Sequence, residues 1–444
     1  MRSRWTAVLV AVVAGAMLVL GPSGAASATA TGTEGAMVAP AASPWVAVSL
    51  GKDSFVTCAV RADHTGWCWG LADLGSLGIG ILPIKVAHPV QVPGDWNSIT
   101  VESFTTCGIK TDSTGWCWGW NREGQVGSGG STRQASPFQL PGHWQTIAPG
   151  GDTSCGVQTD GTGWCWGGGA RGQIGDGHLS SRLTPTQVPG TWSAISSHFG
   201  TTCGVRVDGT GWCWGSNDDG RVGDGTLTLR PSPTQLPGLW SSISTRYSNT
   251  CGIQVDQGGW CWGANFSGMV GDGTTVRRLT PVELPGRWTD VQPADSNTCG
   301  VTTDGKGWCW GDQRFGQVGN GVISFGSPRL TPHALPGGAG SWASVQATRL
   351  ATCGLKTDGA VLCWGLNQLG ELGAGIANVK AIRATPQRVR PFLSWTRLAT
   401  RIGGAGGCAL RANGTLWCWG DNRYGELGDG TTITRDHPVL VKST

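Results

Sequence analysis

The chain has 444 residues, 39% hydrophobic and 14% charged, with 32 Lys and Arg against 28 Asp and Glu for a formal net charge of +4. That balance excludes the dense basic stripe on which nucleic-acid binding rests. The 75 glycines, 25 tryptophans and 16 cysteines point instead to a repeated scaffold of tight turns.

Arg2 and Arg4 precede an apolar run from Trp5 to Leu20, and the small residues Ala26, Ser27 and Ala28 follow it. This reads as a signal peptide over residues 1–28, cleaved near Ala28, because the run is shorter than the ~20 residues of a spanning helix. Residues 29–44, rich in Ala, Gly and Thr, read as a disordered leader. The mature chain is expected to be secreted, with no membrane association after cleavage.

From Trp45 onward the cysteines fall into eight pairs of equal internal spacing: Cys58 and Cys68, Cys107 and Cys117, Cys155 and Cys165, Cys203 and Cys213, Cys251 and Cys261, Cys299 and Cys309, Cys353 and Cys363, Cys408 and Cys418. Successive first cysteines lie 49, 48, 48, 48, 48, 54 and 55 residues apart, a period of solenoids and propellers. The repeats run approximately over 45–95, 96–143, 144–191, 192–239, 240–287, 288–341, 342–394 and 395–444. Four short β-rich runs separated by Gly and Pro turns fit each one, and no segment has helical periodicity. The expected fold is all-β, a β-propeller of four-stranded blades in which each repeat meets only its neighbours. Eight complete units favour eight blades; a seven-bladed ring with one terminal unit outside is the alternative.

An even cysteine count in an exported chain favours disulfides. With no C-x2-C and seven scattered His, no metal site or cofactor is expected. In the third repeat, Thr159-Asp160-Gly161 suits a three-residue loop with Gly in the left-handed region, which sets Cys155 opposite Cys165. Alternation makes this a non-hydrogen-bonded pair with Cα atoms ~4.5 Å apart, within reach of a disulfide. His64, Ser113 and Gln257 replace that Gly in the first, second and fifth repeats, so those turns should carry the strain.

Fifteen of the 25 tryptophans flank the second cysteine as W-C-W, Leu362 being the exception, and eight more open the repeats. On a strand the two flanking rings share one face and the sulfur takes the other. The rings are expected between blades as the main cohesive term, each burying ~200 Å2 at ~25 cal/mol per Å2. Asp176, Asp224, Asp272 and Asp429 recur in D-G. Single carboxylates one blade apart cannot converge on calcium, so a turn-stabilising role is expected.

The unit C-G-V-x-x-D-G-x-G-W-C-W-G-x-N-x-x-G-x-V-G-D-G-T resembles the repeat of the regulator of chromosome condensation family over about residues 45–444. The resemblance implies a propeller, usually seven-bladed. The family's frequent His two residues before the first cysteine is absent: Val56, Thr105, Thr153, Thr201, Asn249, Asn297, Ala351 and Gly406 stand there. Guanine-nucleotide exchange on a small GTPase, implied by the family's founding member, would need a partner that an exported chain does not meet. Secreted β-lactamase-inhibitor propellers are similar in architecture and export, with shorter, cysteine-free repeats.

Function does not follow from fold, so specificity is sought where equivalent loops differ. One such tier is Leu74, Glu123, Arg171, Asp219, Ser267, Phe315, Leu369 and Tyr424. Phe315 and Tyr424 of this tier, with Trp120 and Phe266 beside it, are the candidate binding aromatics. Lys380, Arg383, Arg388 and Arg390, in the lengthened seventh repeat, form a basic patch suited to an acidic partner or wall polymer. Hydrolase, zinc-protease and phosphate-loop motifs are missing, so no catalytic residue is assigned; a propeller glycosidase is the enzymatic alternative. The expectation is a monomeric, non-enzymatic module that binds an extracellular protein or, alternatively, a glycan.

Overall fold

The computed structural model describes residues 42–51, 54–338, 340–375, 381–400 and 406–442, so the signal peptide, most of the leader and Lys380 lie outside the described residues. Strands β1 (Trp45–Leu50), β2 (Val56–Arg61), β3 (Thr65–Leu71) and the first half of β4 (Lys85–Glu102) pair antiparallel in that order. Among the described residues the same order recurs until the pairings make eight four-stranded units, with no helix.

The sequence pattern predicts separate short strands for the fourth run of one repeat and the first run of the next. In the structure they are continuous: β4 is 18 residues long, and Gln134–Gly150, Arg182–His198, Arg230–Arg246 and Arg278–Pro293 follow suit. The Pro-Gly segment between them is absorbed as a register shift in the ladder rather than ending it. Only after the sixth and seventh units, where the repeats lengthen, is the strand split, as Arg329–Ala334 from Trp342–Ala347.

First strands of adjacent units touch one another, as when Val101 N donates to Ser49 Oγ at 3.1 Å, so they lie nearest the axis. Fourth strands are then the outer edges. Each carries a proline, at Pro89, Pro137, Pro185, Pro233, Pro281, Pro332, Pro386 and Pro438. A proline cannot donate to a new neighbour, which blunts edge-to-edge association.

All eight cysteine pairs are disulfides within their own hairpins. Cys58 is bonded to Cys68, Cys107 to Cys117, Cys155 to Cys165 and Cys203 to Cys213. Cys251 is bonded to Cys261, Cys299 to Cys309, Cys353 to Cys363 and Cys408 to Cys418. The Cα separation is 4.1 Å in every pair, shorter than the ~4.5 Å of an unbridged non-hydrogen-bonded pair because the bond draws the two strands together. All sixteen cysteines are buried, so they belong to the scaffold and offer nothing to a binding surface. The register has Cys155 opposite Cys165 and Gly156 opposite Trp164, as the three-residue loop dictates. His64, Ser113 and Gln257 have φ of 65°, 67° and 71°, the left-handed conformation that glycine holds in the other repeats.

The core lies between units. Cys107, Ile109, Cys117 and Val126 of the second unit pack on Trp144, Ile147 and Trp166 of the third, so sulfur faces one neighbour and indole the other. Of each W-C-W pair only the second ring is fully buried; the first is half-buried, in places beneath a cation, as with Lys110 Nζ 3.8 Å from the Trp116 centroid. The second ring also donates across the seam. Trp118 reaches Ser76 O, Trp166 reaches Gln125 O and Trp214 reaches Gln173 O, each at 2.9–3.0 Å. Trp262, Trp310, Trp364 and Trp419 continue the series. Trp69 of the first unit donates to Glu426 O of the eighth at 2.9 Å, so the units close on themselves.

Candidate interaction surface

Antiparallel alternation places the turn between first and second strands and the connection between third and fourth strands at the same end of each unit. Both tyrosines and six of the eight phenylalanines lie in these two sets of connections: Phe55, Phe104, Phe199, Tyr247, Phe266, Phe315, Phe325 and Tyr424. Trp120 joins them, its backbone N–H donating to Phe104 O.

The sequence-derived aromatics divide. Phe266 is exposed, whereas Trp120, Phe315 and Tyr424 are half-buried. Tyr424 packs on Phe55 of the next unit with centroids 4.7 Å apart, so it serves the seam between eighth and first units as well as the surface. Phe315 meets Phe325 edge-on at 6.5 Å. The basic patch divides too. Arg388 and Arg390 stack on the exposed Phe392 ring at 5.1 and 5.5 Å, while Arg383 stands at the start of the Arg383–Arg388 strand.

Sequence reasoning missed the most developed cluster. Phe199 and Tyr247, from the turns of the fourth and fifth units, stack with centroids 4.0 Å apart, and Phe199 is 44% exposed. Phe199 holds a φ of 44°, a conformation costly for a residue with a Cβ and persistent only where the surroundings enforce it. The turn itself imposes it, since the equivalent Ser103 has a φ of 47°, and Arg221 Nη1 ties the two aromatic turns together by donating to the carbonyls of both Phe199 and Tyr247. In five other units this position holds Gln or Glu whose side chain accepts from its own loop, as Gln173 does from Arg171 N; Ser76 and Met269 stand there in the first and fifth. Burial pulls the Arg221 guanidinium below its ordinary pKa, opposed by Asp219 and Asp218. Beneath the stack His198 Nε2 lies 3.5 Å from Glu102 Oε1 and 3.1 Å from Arg246 Nη1, all three side chains buried. Aligning the repeats marks Arg221 as the one cation in its column.

The D-G carboxylates serve the scaffold. Asp176, Asp224, Asp272 and Asp429 pair with Arg182, Arg230, Arg278 and Arg435 of their own connection. Among the described residues no group of three or more His, Cys, Asp or Glu is arranged to hold a metal, and no helix is long and apolar enough to cross a membrane. An open groove of about 610 Å3 lies at the outer edge beside Phe138, Leu140, Pro141 and Pro185.

Stacked antiparallel units closed through repeated contacts, with variable loops gathered at one end, define the class: an all-β propeller. Residues 413–444 and 342–371 each match the description "Regulator of chromosome condensation (RCC1) repeat", so the chain carries repeats of that family. In fold it is similar to Prp20p from Saccharomyces cerevisiae, at TM-score 0.61 and 16% identity over 87% of both chains. Human WBSCR16 is similar at TM-score 0.59 and 19% identity, over 74% of this chain and 93% of that one. In sequence, 109 residues are 33% identical to the probable E3 ubiquitin-protein ligase HERC4 of Rattus norvegicus, 23% of this chain but 10% of the relative's length. The ultraviolet-B receptor UVR8 of Arabidopsis thaliana is 34% identical over 20% of this chain and 19% of its own.

Proposed function

We propose that the chain is a secreted, eight-bladed, disulfide-stapled propeller that holds a protein partner on the end bearing the aromatic connections. The observation that carries this reading is the gathering there of both tyrosines and six of eight phenylalanines, with the Phe199–Tyr247 stack held half open to solvent. Rigid aromatics over a buried Arg are what interface anchors are made of. Eight internal bridges suit an oxidising compartment, which supports export with cleavage near Ala28. Prp20p, alike in fold, was described with its binding to Gsp1p and histones, an instance of such a fold holding proteins. The role is one of binding rather than catalysis.

The test is affinity capture from the producing culture with the oxidised mature chain and with a Phe199→Ala/Tyr247→Ala variant of matched melting temperature. A protein retained by the parent and lost by the variant supports the reading; equal retention by both removes this end as the binding surface. N-terminal sequencing of the chain from culture medium checks export, since a start far from Thr29 or a purely intracellular product contradicts it.

A glycan reading is favoured by one observation, the groove beside Phe138, whose exposed aromatic ring suits sugar stacking. Glycan arrays with a Phe138→Ala control decide between the two.

A further inference from the structure

We infer that the seam between the sixth and seventh units is a docking site for an acidic, apolar-bearing protein segment. This rests on the protein-binding reading above and names the partner's chemistry. One ion pair is not kept at every position around the ring. In the third, fourth, fifth and eighth units the Arg that opens the fourth strand is neutralised by the D-G aspartate of its own connection. The second unit has lost both, with Ser128 and Gln134 in their places. The sixth and seventh units have lost only the carboxylate: Asn320 and Ala374 stand where Asp would, yet Arg329 and Arg383 remain. Two guanidiniums at equivalent heights on adjacent units are thus left without the internal anion that the scaffold supplies elsewhere.

The fold brings apolar groups to the same place. Gly321 N donates to Ala384 O at 2.8 Å, and a Cβ on Gly316 would stand 2.6 Å from Ala384 Cα, so the sixth unit's connection is pressed against the residue following Arg383. That connection carries Phe315, Val322, Ile323 and Phe325; the last three are 44%, 46% and 75% exposed. Charge is biased in the same sector. Among the described residues from 323 to 400, seven Lys and Arg stand against two Asp and Glu, although the whole chain holds 32 against 28. A polyphosphate or acidic polysaccharide would satisfy the cations and leave the exposed apolar side chains unused. A polypeptide alternating carboxylates with Leu or Phe uses both, its carboxylates taken by the planar guanidinium forks.

The experiment measures binding of a fluorescent 12-residue Glu/Phe peptide to the oxidised mature chain at 50 and 300 mM NaCl, with a Lys/Phe peptide and inorganic polyphosphate as comparison probes. The key variant is Asn320→Asp/Ala374→Asp, which restores the internal ion pairs found in the other units and so preserves the fold. Affinity for the Glu/Phe peptide should fall about tenfold in this variant at low salt, and Phe325→Ser should weaken it independently. Raising the salt should close the gap between parent and variant. Unchanged affinity in the Asp-restoring variant overturns the inference, as does polyphosphate binding equally well and indifferently to Phe325→Ser. If the culture partner is lost with Phe199→Ala/Tyr247→Ala but kept by the Asp-restoring variant, the protein-binding reading stands and this one falls.

Discussion

Trp69 Nε1 donates to the carbonyl of Glu426, 357 residues later in the chain, at 2.9 Å. The seven other seams carry the same bond from the same position of the motif, so the contact between chain ends is chemically the same as one between consecutive units. The Glu426 carbonyl also accepts from Thr57 Oγ1 at 2.9 Å, and Trp45, Trp69, Cys418 and Leu427 share one buried cluster.

Trp69→Phe should therefore cost on the order of 1 kcal/mol, matching Trp214→Phe at the seam between third and fourth units. Denaturant midpoints of the two variants are the measurement. A silent Trp69→Phe beside a costly Trp214→Phe would mean that the first and eighth units do not hold each other.

Cys155→Ala/Cys165→Ala should lower unfolding free energy by about 2–3 kcal/mol, the value of closing a loop of this length. Both sulfurs are fully buried, so the bridge should also resist reductant until the protein unfolds. Thiol labelling in dithiothreitol under native conditions reads this directly; fast labelling would show that the hairpins open one by one.

Asn249 and Asn297 are fully buried, and neither end of either carboxamide meets a protein partner. In the second, third and fourth units the equivalent Thr105, Thr153 and Thr201 donate to a backbone carbonyl at 2.8–2.9 Å. Asn249→Thr should accordingly stabilise the protein by about 1 kcal/mol. Calorimetry showing a loss instead would mean that the amide is satisfied in solution.

Burial pushes the Asp290 carboxyl up to about 6, against the lowering influence of its hydrogen bond from Gln292. The folded chain therefore holds this proton more tightly than the unfolded one. Its contribution is fully favourable below the unfolded value near 3.8 and is lost as pH rises through 6. Ser occupies this register in the second, fifth and seventh units, at Ser98, Ser242 and Ser344. Asp290→Ser should raise stability at pH 7.5 by about 2 kcal/mol, a gain that shrinks to nothing near pH 4. An equal effect at both pH values would place the carboxyl in water.

Within one repeat, the chain alone settles a great deal. The ten-residue cysteine spacing, the three-residue turn and the period of two set the hairpin register, the eight bridges and the left-handed turns at His64, Ser113 and Gln257, because each is decided by neighbours in one two-stranded ribbon. Between repeats that local logic stops. The strand running unbroken through Pro93 and Gly94 depends on how one unit tilts against the next, which no short-range propensity encodes. The Phe199–Tyr247 stack joins equivalent residues 48 apart in a column that does not repeat, and the role of Arg221 beneath them follows only from its bonds to both turns. Phe315 and Arg383, separate features of the chain, become neighbours because the sixth connection lies on the seventh unit's outer strand. Periodicity names the scaffold residues, since those must recur; the surface residues are those that do not recur, and only their placement around a closed ring brings them together.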